Sequence, residues 1–72
     1  MITKKEMQHT ITVELRSLHK QKYQQELACR AFKATEQSEQ LDYMTKALMK
    51  TQELIDFYED EMKKLNADET KA

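Results

Sequence analysis

Glycine, proline and tryptophan are absent from all 72 residues, and cysteine occurs once, at Cys29. Without Gly or Pro the chain lacks the usual residues of tight turns and phosphate-cradling loops, and no residue breaks a helix outright. Helix nearly throughout is the expectation. One cysteine excludes an intrachain disulfide and a cysteine-based zinc site within a single chain, and it suits a reducing compartment. No apolar run exceeds three residues. That excludes a membrane-spanning helix and the core of a secretory signal, so a cytoplasmic protein with no membrane role is expected.

Charged residues make up 35% of the chain and apolar ones 39%. The apolar share is too high for a disordered tail yet low for a self-sufficient core at this size. A chain this short forms one domain, residues 1–72, and small chains without disulfide or metal generally gain their missing core by oligomerising. The net charge of −1 hides an asymmetry. Residues 1–34 carry +4, and residues 35–72 carry −5. A basic half followed by an acidic half favours antiparallel docking of one on the other, within a chain or between chains.

The most regular stretch is Leu41, Met44, Leu48, Thr51, Ile55, Tyr58, Met62 and Leu65. Its steps alternate between three and four residues, the heptad spacing that keeps one side of a helix against a partner. Leu54 and Phe57 fall beside that seam. A stripe so wide faces more than one neighbour, as in a bundle.

The first helix begins with Thr3-Lys4-Lys5-Glu6, a capping box, with Ile2 and Met7 placed as a hydrophobic staple. Thr10-Ile11-Thr12-Val13-Glu14-Leu15 alternates and is β-branched, which reads as a strand. Met7, Ile11, Leu15 and Leu18 nevertheless align on one helical face, and no second strand lies nearby, so helix is the better reading. Cys29 and Phe32 continue that face, with Gln21, Lys22 and Gln25 intruding, while Tyr23, Leu27, Ala31 and Ala34 lie opposite. Such a change of side implies either different neighbours at the two ends or a bend near residues 19–22.

The polar gap from Thr35 to Gln40 is where the chain turns, with Ser38 or Thr35 as cap of a second helix. The boundaries read as a helix over about 3–34, a connection over 35–39, a helix over 40–66 stopped at Asn66, and a frayed tail over 67–72. The helices also carry acid-first pairs four residues apart at Glu26/Arg30, Asp42/Lys46, Glu59/Lys63 and Asp60/Lys64. The fold class expected is all-α: an antiparallel helical hairpin that pairs as a homodimer into a four-helix bundle. One continuous rod is the rival.

No nucleophile–base pair, zinc motif or dinucleotide fingerprint is present, so no catalytic residue and no cofactor are expected. His9, His19 and Cys29 project in different directions from a helix and do not make a metal site. The chemistry exceeding the needs of folding is a basic stripe on the first helix, Lys5, Arg16, Lys20, Tyr23 and Arg30, with His9 beside it. Met49 projects away from the second helix's seam and joins these as an exposed contact. Tyr and Arg are frequent binding hot spots. The reading is a small non-catalytic protein-interaction module: an adaptor, an assembly factor or an inhibitor covering a partner's surface. Its partners would be itself and another protein. The alternative is nucleic-acid binding through the same stripe, which a pI near 6.1 disfavours. A structural coiled-coil rod is the third.

Overall fold

The computed structural model describes residues 1–71, and side chains through Ala67. Two helices, α1 (Lys4–Ala34) and α2 (Ser38–Lys71), fold back on each other. The backbone extends 55 × 17 × 16 Å. A continuous helix of this chain would span about 100 Å, so the hairpin replaces the rod.

The start of α1 is fixed by the expected capping box. Thr3 Oγ1 accepts from the Glu6 amide at 3.2 Å, and Glu6 Oε1 accepts from the Thr3 amide at 3.1 Å. The β-branched stretch is helical. Thr10 and Thr12 donate their hydroxyls back to the carbonyls of Glu6 and Gln8, at 2.9 and 2.8 Å. The hydroxyls are thereby satisfied within the helix, at a slight cost to it. Helix α1 then runs without interruption through residues 19–22.

The connection is shorter than expected, and its cap differs. Thr35 ends α1, and Glu36 takes a left-handed conformation at φ 59°. The Gln37 amide donates to the Phe32 carbonyl at 2.9 Å, and the Glu36 amide donates to the Lys33 carbonyl at 3.3 Å. This pair of crossed bonds is a Schellman motif, normally built on glycine. Ser38 is the first residue of α2 rather than its cap. The Gln37 carbonyl accepts the first helical bond, from Leu41 at 2.9 Å. Gln37 Nε2 also donates to Thr35 Oγ1 at 2.8 Å, closing the turn on itself.

A Cβ at a left-handed position costs roughly 1–2 kcal/mol. Glu36→Gly should therefore stabilise the hairpin by about 0.5–1 kcal/mol, after the added flexibility of the unfolded chain is deducted. Glu36→Ala keeps the Cβ and should bring no such gain. Thermal melts of the two variants at equal concentration check this; a Gly variant no better than the Ala variant would contradict the account.

Helix α2 does not stop at Asn66. It continues through Lys71, because Asn is only mildly unfavourable in a helix and no Gly or Pro follows it. Ala72, the end of the expected tail, lies outside the described residues.

Packing follows the heptads on both helices. Ile55 is 1% exposed and Thr51 2%, while Leu18 on α1 is buried at 8%. Leu41, Met44, Leu48, Tyr58, Met62 and Leu65 are half-buried along the same seam. On α1, Gln8, Ile11, Leu15, Leu18, Lys22, Gln25, Cys29 and Phe32 are the facing positions, also spaced four and three apart and all buried or half-buried. Three contacts fix the register: Gln8 Nε2 donates to Asn66 Oδ1 (3.2 Å), Gln21 Nε2 donates to Thr51 Oγ1 (3.1 Å), and Cys29 Sγ lies 4.0 Å from Thr45 Oγ1. Thr51 is thus a seam residue with hydrogen-bonding work of its own, since its hydroxyl also donates to the Ala47 carbonyl at 3.1 Å.

Ion pairs among the described residues join Asp42 to Lys46 and Asp60 to Lys64, each at 3.4 Å, and Glu61 to Lys64 at 3.5 Å. The expected pairs Glu26/Arg30 and Glu59/Lys63 do not close to ion-pair distance. Exposed pairs of this kind contribute only a few tenths of a kcal/mol each, so their absence costs little.

Candidate functional site

A two-helix hairpin has two broad faces, one on either side of the seam, and their chemistry differs here. One is built from positions beside the seam of α2: Tyr43, Ala47, Lys50, Leu54, Phe57, Glu61 and Lys64, again spaced four and three apart. The matching row on α1 is Met7, Thr10, Glu14, Ser17, Gln21, Gln24, Ala28 and Ala31. The two rows meet in an open groove lined by Ile2, Met7, Thr10, Ile11, Phe57, Tyr58, Glu61, Lys64 and Leu65. The staple residues Ile2 and Met7 form part of its wall.

The groove's two charges neutralise each other, because Glu61 and Lys64 are paired. A hydrogen bond from Lys64 to Asp60, reinforced by the negative charges of Glu61 and Asp60, also raises the Lys64 ammonium above its usual 10.5. Phe57 stacks edge-on against Tyr58, with ring centroids 5.4 Å apart. Tyr43, Leu54 and Phe57 are 73%, 47% and 56% exposed. Near the turn, Phe32, Glu39, Gln40, Tyr43 and Met44 line a second shallow depression.

The other broad face is charged. From α1 it presents Lys5, His9, Arg16, His19, Tyr23 and Arg30, all exposed. From α2 it presents Asp42, Met49, Asp56 and Lys63, also exposed. Contacts between Gln8 and Asn66 and between Cys29 and Thr45 belong to this side. Every side chain of the expected working set therefore reaches solvent. Arg16, Tyr23, Arg30 and Met49 share the face, Lys5 lies at its α1 end, and Lys20 sits on the outer edge of α1.

Among the described residues no three His, Cys, Asp or Glu side chains are grouped so as to hold a metal ion. Cys29 is free and half-buried. No helix, among the described residues, is long and apolar enough to cross a membrane.

The groove-bearing face, which is less charged than the other, is the feature that reading by seam alone missed. Its signal was present in Leu54 and Phe57, which sit beside the α2 heptad. What was missing was the extension of that row to Tyr43, and the small residues opposite it on α1. Comparison with protein-family models, with curated proteins and with solved structures gives no match for this chain.

Proposed function

We propose that this chain is a non-catalytic protein-interaction module that self-associates, giving a four-helix bundle, and presents the basic stripe of α1 on its charged broad face to an acidic protein surface. The observation that carries the reading is the segregation of chemistry between the two faces. Lys5, Arg16, Tyr23 and Arg30 are solvent-facing and take no part in the seam. Folding requires none of them, and Arg and Tyr on an accessible surface are the residue types that anchor protein partners. Met49, 60% exposed on the same face, adds an adaptable apolar contact.

Self-association is supported by how little the lone hairpin buries. Ile55 and, less completely, Leu18 are its buried apolar side chains among the described residues. A chain of this length with so small a core stabilises its fold by burying more surface against another chain.

Arg16→Glu combined with Lys20→Glu should leave helicity and assembly unchanged while weakening partner capture by at least about tenfold, since charge reversal replaces attraction with repulsion. Circular dichroism and a quantitative pull-down check the two halves of that statement. Equal capture by the double variant would move the binding surface elsewhere. Nucleic acid as the captured species would show itself through a steep fall of affinity with added salt.

A further inference from the structure

We propose that the groove-bearing broad face is covered by the same face of a second copy, with the two-fold axis running parallel to the helices. The inference rests on the self-association just argued and specifies its surface and symmetry. Three observations lead to it. The first is size: either broad face has a projected outline of about 900 Å², room for the ~800 Å² that each partner contributes to a standard stable interface.

The second is relief. In the register set by Gln21–Thr51 and Cys29–Thr45, Phe57 lies level with Ser17, Leu54 between Ser17 and Gln21, and Tyr43 level with Ala31. An axis parallel to the helices keeps every level and places α2 of one copy over α1 of the other. Phe57 and Tyr43 of each α2 then meet Ser17 and Ala31 of the opposing α1, large against small, as close packing requires. An axis perpendicular to the helices instead puts α2 on α2, large on large, and α1 on α1, small on small.

The third is charge. On this face the α2 row carries Lys50, Glu61 and Lys64, a net +1, and the α1 row carries Glu14, a net −1. The parallel axis opposes these unlike rows, and the perpendicular one opposes each row to itself. A different protein occupying this face would need to reproduce both complementarities; a second copy has them already.

Interspin distances separate the possibilities. Labels at Lys33→Cys, in a Cys29→Ala background, sit near the turn end of each hairpin. With helices packed about 8–10 Å apart, the parallel axis gives an interlabel distance of roughly 15–25 Å. A distance of about 45 Å, with the two turns at opposite ends of the bundle, would overturn the proposed symmetry. Absence of dipolar coupling, with a monomeric mass by sedimentation equilibrium, would overturn the self-association beneath it and leave the face to another protein. Adding Leu54→Glu with Phe57→Glu should weaken self-association more than about 100-fold, because the buried hot spots of an interface dominate its affinity. Retention of the short distance in that variant would place the interface on the other face and overturn the proposal, whereas the distance in the unsubstituted face stands independently of how well the variant folds.

Discussion

Ile55→Ala should cost about 2–5 kcal/mol of stability, the usual range for emptying a fully buried aliphatic site. Ile55 is 1% exposed, and it shares the centre of the seam with Leu18. A domain of this size has a total stability of roughly 4–10 kcal/mol. One alanine thus removes a large share of what holds the hairpin together. Leu48→Ala should cost less, because Leu48 is only half-buried. Met49→Ala, one position further along the same helix, should fall within about 0.5 kcal/mol of the native chain, as exposed substitutions do. Urea denaturation at a fixed chain concentration measures all three, since association shifts apparent stability. Equal effects at positions 49 and 55 would mean that the seam has been assigned to the wrong side of α2.

Gln25→Leu should act in the opposite direction, stabilising the fold by about 1–3 kcal/mol, the range associated with relieving a buried unpaired polar group. Gln25 occupies a seam position of α1, and its Oε1 is buried without a hydrogen-bond partner. Leucine of similar length removes that acceptor and extends the apolar row between Leu18 and Cys29. Gln21→Leu is the control. Its amide already donates to Thr51 Oγ1, and its side chain is exposed, so removing it loses a bond and gains little burial. A thermal melt in which the Gln25 variant is less stable than the native chain would mean that this oxygen has a partner worth more than leucine's burial.

The seam of α2 was legible because Leu, Met, Ile and Tyr occupy nearly every heptad position, and the structure buries or half-buries all of them. The seam of α1 was harder to read. Lys22 and Gln25 stand at heptad positions, and as polar letters they looked like intrusions into a face that changed side. Both are half-buried in one continuous helix. Long polar side chains lay their aliphatic stems along an apolar surface, which a hydrophobic pattern alone does not register.

The turn was located but not resolved. Its signal is ordinarily glycine, and Glu36 occupies the left-handed position instead, held by the crossed amide bonds of the Schellman motif. The β-branched run at residues 10–15 misled in the same way, since strand propensity yields where Ile11 and Leu15 face α2 and the threonine hydroxyls bond back along the helix. Residues of the charged face were legible as a stripe because they recur on one side of α1. Placing Met49 on the same side of the hairpin as that stripe, and separating both from the groove-bearing face, needed the register between the helices.

Small-angle scattering of the native chain at micromolar concentration tests the central claim, a hairpin completed by self-association, through one curve. The account requires a maximum dimension near the 55 Å length of the hairpin backbone, once side chains and hydration are allowed for, and a forward-scattering mass twice that of the 8.6 kDa chain. A dimension near 100 Å, the length of an unbroken helix, or a folded particle of single-chain mass would contradict it.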